Sequence, residues 1–257
     1  MLFIDSLSYQ SKLRYVNASE KFVYAMLTLV LCIIGQSFLT AVSVFAVNGI
    51  LTVGKGGIPL SRYIRLLLVP VSFLILGAAA IIINVSEVPL DAFACPVGEW
   101  YITGSRQSVL RAAELTASAL GAVTCLYFLA LNTTMPDLLQ VLKKLHIPAL
   151  IIELMMLIYR FIFLLSATAS AISTAQEARL GNRTFRTRVR AFGVMASAVF
   201  ILALRRSGAV YDAMESRCYD GEIRVLVTGE PAKIREILLI VLFETALLAA
   251  TVWSVLQ

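Results

Sequence analysis

Two arginines stand at the ends of matching stripes of small residues. Ala167, Ala171 and Ala175 lead to Arg179 at intervals of four, and Ala209 and Ala213 lead to Arg217. Residues four apart share one helix face, so each set predicts a helix with a narrow small-residue stripe ending in a guanidinium. Gly181 and Gly221 follow, and each is expected to stop its helix. The chemistry open to such residues is docking. A guanidinium is a permanent cation whose planar fork pairs bidentately with a carboxylate, where lysine fits less well. A single arginine in a last turn is explained by the helix dipole alone. Two parallel occurrences point further. Small stripes let helix backbones approach closely, so the two helices are expected to cross through their alanines, each presenting one arginine at its end.

The rest of the chain offers little other chemistry. One histidine, His146, cannot build a polyhistidine metal site, and Lys143-Lys144-Leu145-His146 places it at a helix end. Cys32, Cys95, Cys125 and Cys218 have no C-x-x-C spacing, which argues against a disulfide framework or a zinc site. No G-x-x-x-x-G-K-[ST] motif occurs, so any ATP hydrolysis belongs to another chain. Within apolar runs the ionisable groups are Arg111, Glu114, Glu236 and Glu244, too scattered for an acid–base or metal constellation. Arg111 and Glu114 are three apart and can pair; Glu244 should face protein. Met155-Met156 and Met214 are expected to be packing residues.

The elements that carry these groups are membrane helices. Of 257 residues 59% are hydrophobic and only 15% charged, and the mean hydropathy is +0.85. Such a composition excludes a soluble domain and disorder. Spans are expected within 22–34 and 38–53 (a tight hairpin broken at Gly35-Gln36-Ser37, or two bent spans), and at 63–85, 109–131 and 237–256. No apolar signal-peptide stretch is seen before the first span. The predicted fold is an all-α integral membrane protein with five or six transmembrane helices plus long amphipathic cytoplasmic coupling helices. Three regions follow: 1–131 and 236–257 in the membrane, and 132–235 in the cytoplasm.

Charge sets the orientation. The net charge is +6. Region 132–235 carries 14 basic and eight acidic residues, which accounts for the whole excess. Loop 86–107 carries Glu87, Asp91 and Glu99 against Arg106. By the positive-inside rule the N-terminus and 132–235 are cytoplasmic and the acidic loop is outside, with Trp100-Tyr101 as an interfacial anchor. The apolar runs at 148–172 and 191–204 alternate with charge and suit helices lying under the membrane. Arg183, Arg186, Arg188 and Arg190 are expected to be solvated positive-inside charge rather than a lipid-headgroup site. A short helix is expected at 135–145, capped by Asn132-Thr133-Thr134, with Pro136 in its first turn.

These residues also carry a family likeness. Gln176-Glu177-Ala178-Arg179-Leu180-Gly181 resembles the first X-Arg-X motif of the transmembrane T components of energy-coupling factor transporters. The segment from Ala213 to Gly221, centred on Ser216-Arg217-Cys218, resembles the second. Within that family the chain is most similar to the cobalt type, CbiQ. Ile4-Asp5, Tyr9, Ser11, Leu13-Arg14, Glu20-Lys21 and Ile158-Tyr159-Arg160-Phe161 support that subtype. Cys218 departs from the family's usual glycine, and Leu180 stands where many T components have glycine.

The resemblance implies a scaffold rather than an enzyme. Such a subunit lies in the prokaryotic cell (inner) membrane of an ABC-type importer for cobalt or nickel. It joins two cytoplasmic CbiO-like ATPases, which hold the ATP and Mg, to a CbiM-like metal-binding membrane subunit with a small CbiN-like protein. Arg179 and Arg217 would dock in ATPase grooves, flanked by Ala178, Leu180, Ser216 and Cys218. No cofactor or metal on this chain is implied, and no nucleic-acid partner. The alternatives are a T component for vitamin uptake, which the cobalt-type N-terminus disfavours, and a stand-alone channel or carrier, which calls for internal repeats the sequence lacks.

Overall fold

A computed structural model describes residues 3–86, 93–97, 100–221 and 233–256. Two compact units emerge, one formed by residues 2–138 with 228–257 and one by 139–227. The first contains α1 (Phe3–Gln10), a 3-10 turn (Lys12–Tyr15), α2 (Ala18–Gly35), α3 (Phe38–Ile50), α4 (Leu60–Ile82), α5 (Arg106–Asn132) and α9 (Ile234–Leu256). The helix α6 (Met135–Lys144) joins one unit to the other in sequence, and the second unit holds α7 (Ala149–Ala178) and α8 (Phe185–Glu215). Seven described helices are long and apolar enough to cross a membrane: α2, α3 with its extension to Lys55, α4, α5, α7, α8 and α9. The protein is a multi-pass membrane protein. The run 22–53 is two helices, each of 18 residues when α3's extension is included. Helices α7 and α8 qualify because their charges sit apart from long uncharged stretches, 161–176 and 191–204.

One element departs from the all-helical expectation. The stretch from 84 to 104 holds a small antiparallel sheet, β1 (Asn84–Ser86), β2 (Phe93–Val97) and β3 (Trp100–Gly104), in the order β1-β3-β2. Ile102 pairs with both Val85 and Cys95. Glu87, Asp91 and Glu99 lie outside the described residues, as do the side chains of Trp100 and Tyr101.

In the first unit α5 is the central post, packing against α1, α2, α3 and α4. It is built for close approach. A Cβ on Gly121 would lie 2.7 Å from Cys32 Sγ, and Ser118 Oγ donates to the Cys32 carbonyl at 2.9 Å. Gly121 therefore lets α2 and α5 meet backbone to backbone. Pro70 sits inside α4 and cannot donate to the carbonyl of Leu66. The hydroxyl of Tyr127 on α5 donates to that carbonyl at 3.1 Å, satisfying the group that proline leaves open.

Several buried polar groups in this unit pair with one another, while the hydroxyls of Thr52, Tyr63 and Thr133 are buried without a hydrogen bond. Lys21 is buried and its Nζ donates to the carbonyls of Leu13 (3.1 Å) and Asn132 (2.8 Å). Asn132 accepts from Ser11 Oγ at 2.7 Å and donates to the Phe128 carbonyl at 2.9 Å. Asn132 is thus a buried tie between the chain's start and the end of α5, rather than part of a cap. Thr134 precedes α6 instead and hydrogen-bonds Asp137. Deeper in the bundle Tyr24 OH donates to Asn48 Oδ1 at 2.9 Å, and Thr28 Oγ1 to Glu244 Oε1 at 2.6 Å. Glu244 faces protein, as expected. Arg111 and Glu114, by contrast, are both exposed and make no ion pair among the described residues.

Candidate functional site: two arginine-bearing helix ends

Helices α7 and α8 form an antiparallel hairpin closed by residues 179–184. Thr184 caps α8 through a reciprocal pair of bonds with Thr187. Three rungs set the register. Near the loop, Gln176 Nε2 donates to the Ala191 carbonyl at 2.9 Å. Midway, Leu157, Arg160, Phe161 and Leu164 line a cavity with Arg206 and Val210. At the open end, Tyr219 OH donates to Glu153 Oε2. Position numbers fall along α7 as they rise along α8, which only an antiparallel pair allows.

The two arginines therefore occupy opposite ends of the hairpin. Arg217 lies at the level of Glu153, and Arg179 lies 26 residues further along α7. At 1.5 Å rise per residue the two levels are about 39 Å apart. The alanine stripes do not make the crossing. Ala167, Ala171, Ala175, Ala209 and Ala213 are all exposed. The half-buried line on α8 is instead Ala191, Met195, Val199, Leu202, Val210 and Met214. Periodicity identifies a face but not its neighbour, and here larger residues fill the seam.

The two ends share one backbone geometry. Arg179 closes α7 with φ −94° and ψ 14°, and Leu180 takes φ +59°. The amide of Gly181 then donates to the Gln176 carbonyl at 2.8 Å, and that of Leu180 to Glu177 at 3.0 Å. At the other end Cys218 takes φ +58°. The amide of Tyr219 donates to the Met214 carbonyl at 3.1 Å, and that of Cys218 to Glu215 at 2.9 Å. In each case the residue after the arginine is left-handed, and the next amide reaches back to the carbonyl three residues before the arginine. This is the wrapped ending that satisfies last-turn carbonyls and turns the chain sharply away. Leu180 and Cys218 are thus the left-handed residues, so Gly181 and Gly221 do not supply the stop. Both positions favour glycine because a Cβ is crowded there.

All six expected site residues are exposed: Ala178, Arg179, Leu180, Ser216, Arg217 and Cys218. Leu180 is 70% exposed beside Arg179. Cys218 is a free thiol. Sequence reasoning missed Glu153, a buried carboxylate in the first turns of α7. A lone acid in an apolar run carries no spacing signal. Tyr219 lay inside the second motif but had no assigned role. Glu153 accepts a hydrogen bond from the Tyr219 hydroxyl, which holds that phenol above its usual range. Of the remaining expectations, His146 ends α6 with φ +60°, and Met155, Met156 and Met214 are half-buried packing residues. Arg183, Arg186, Arg188 and Arg190 are exposed.

The sequence profile for CbiQ, described as cobalt transport protein, matches residues 10–227, from α1 to beyond the second arginine turn. The chain belongs to the CbiQ family. The cobalt transport protein CbiQ of Rhodobacter capsulatus is 33% identical over 249 residues, covering 97% of both chains. That of Salmonella typhimurium is 29% identical over 226 residues, covering 88% of this chain and all of its own. A fused cobalt transport protein CbiMQ of Methanocorpusculum labreanum is 32% identical over 85% of this chain, which matches 36% of the fusion's length. A CbiQ chain with these helices is a membrane component of cobalt transport.

Proposed function

We propose that this CbiQ chain is the T component of an energy-coupling factor importer for cobalt, passing movement from two ATPases to a metal-binding membrane subunit. Arg179 and Arg217 are the coupling residues, with Ala178, Leu180, Ser216 and Cys218 shaping their presentation. The ATPases are CbiO-like chains that hold ATP and Mg. The membrane partner is CbiM-like, a reading supported by the fused CbiMQ relative, and a small CbiN-like subunit completes it. The 139–227 unit faces the cytoplasm, as its basic excess requires, in a prokaryotic inner membrane.

The observation that carries this reading is the matched geometry of the two ends. Each extends an exposed guanidinium from a helix terminus and then turns the chain away through a left-handed residue. Such an end can enter a groove without its own loop blocking it. The guanidinium suits a carboxylate at the groove floor. A separation of about 39 Å is too large for one groove, so each arginine meets its own ATPase copy. Closing the ATPase pair on ATP then shifts or tilts the hairpin as one body.

Co-purification of the tagged chain with CbiO-like and CbiM-like partners tests this. Wild type should bring down both kinds, and the Arg179→Glu, Arg217→Glu double variant should keep the membrane partner and lose the ATPases. A double variant that retains its ATPases would overturn the reading.

A further inference from the structure

We propose that Tyr219 is the positioning residue for Arg217, a strut that carries load from the arginine turn across the hairpin into the start of α7. This rests on Arg217 being a coupling residue, as proposed above. Arg217 has weak support from its own helix. No residue of α8 is buried, and Arg217 lies beyond its last helical residue, Glu215. The next residue, Cys218, takes a left-handed conformation that a non-glycine residue adopts at a cost. Left to itself that turn would be the first part of the hairpin to straighten under load.

Tyr219 is placed to prevent this. The left-handed Cys218 reverses the chain, and the Tyr219 hydroxyl then donates to Glu153 Oε2 on α7. Glu153 is only 6% exposed and so has little freedom to follow a moving partner. The other end has an equivalent brace. Gln176, three residues before Arg179, donates from Nε2 to the Ala191 carbonyl at 2.9 Å. Each arginine thus stands within three residues of a side chain that ties its turn to the opposite helix. A displacement at either arginine moves the hairpin as one body rather than unwinding one end. The brace at Arg217 is the more exposed to test, because it is a side chain to side chain bond that a single oxygen atom defines.

The test uses the whole assembled transporter in lipid vesicles. Tyr219→Phe removes the hydroxyl and nothing else. Expected are unchanged ATPase stoichiometry and melting temperature, cobalt uptake per ATP hydrolysed reduced severalfold, and amide exchange at Cys218 and Tyr219 faster by about tenfold. Glu153→Leu should behave like Tyr219→Phe. Glu153→Gln keeps an acceptor oxygen and should retain coupling, a rescue that a merely structural role would not require. Wild-type uptake per ATP in Tyr219→Phe, or equal impairment in Glu153→Gln and Glu153→Leu, would overturn the strut. Arg217→Glu run beside them separates the two levels. If it keeps ATPases and uptake, the coupling reading itself falls and the strut with it. If it loses them while Tyr219→Phe behaves as wild type, only the strut falls.

Discussion

Among the described residues, the two units of the chain differ in how many polar side chains they bury. In residues 2–138 with 228–257, Lys21, Asn48, Thr124, Asn132 and Glu244 are buried and bonded to protein. In residues 139–227 the described arginines are all exposed, and Glu153 is the one buried polar side chain among the described residues. The difference follows from solvent. Hydrocarbon supplies no hydrogen bonds, so a bundle in lipid must satisfy its polar groups internally. Under the proposed coupling role, a hairpin that docks on another protein must leave its cations exposed until that partner arrives. Stability and coupling should therefore be separable by mutation, with each unit sensitive in only one of the two assays.

The largest expected effect lies in the exposed unit and appears only in the assembly. Arg179→Ala or Arg217→Ala should weaken ATPase docking by about 2–5 kcal/mol, the usual cost of stripping one partner from a buried charge pair. The melting temperature of the isolated chain should stay at the wild-type value, because exposed substitutions shift stability by about 0.5 kcal/mol or less. Titration of ATPase subunits onto the purified chain, alongside thermal unfolding in detergent, reads both quantities. A large drop in stability from either arginine would erase the contrast between the units.

The reverse case is Asn132→Leu. It leaves the Ser11 hydroxyl donor without its acceptor and removes the extra side-chain donor to the Phe128 carbonyl, beside a buried ammonium. At about 1–3 kcal/mol for an orphaned buried donor, stability should fall by about that much. Thermal unfolding should show it before any assay of assembly. Gly121→Val should cost a similar amount, about 1–3 kcal/mol for overpacking against Cys32. Cys32→Ala should partly rescue it in a double-mutant cycle.

Much of this contrast was legible in the sequence, and the gaps have physical reasons. Composition and apolar runs pointed to five or six spans; the described structure has seven helices long and apolar enough to cross, because α7 and α8, expected to lie under the membrane, carry uncharged stretches longer than their flanking charges suggested. The repeated ending pointed to Arg179 and Arg217. Partners distant in sequence were not legible. Lys21 bonds a carbonyl 111 residues away, and Thr28 bonds Glu244 across 216 residues. No local pattern encodes such pairings. Helix packing was misread for a related reason. The alanine stripes are real, but a stripe does not name its neighbour, and the seam runs through larger residues on other faces. The turn after Arg179 was placed one residue late because Gly181 drew attention from Leu180, whose side chain gives no hint of a left-handed backbone.

The smallest expected effect concerns those turns. Leu180→Gly and Cys218→Gly relieve a left-handed non-glycine residue, and each should stabilise its helix end by up to about 1 kcal/mol. Helix-end amide protection reads this directly. Docking should be unchanged if the backbone already holds the wrapped ending. A gain in docking would mean instead that Leu180 and Cys218 hold the arginines slightly out of place.

The central claim is that one hairpin engages two ATPases, one at each end. Photocrosslinking in the assembled transporter tests it most directly, with a benzophenone amino acid placed at Ala178, at Ser216, or at both. Each single site should capture one ATPase copy, and the doubly labelled chain should carry two. Capture of one shared copy by the doubly labelled chain, or of no ATPase from either site, would contradict the account.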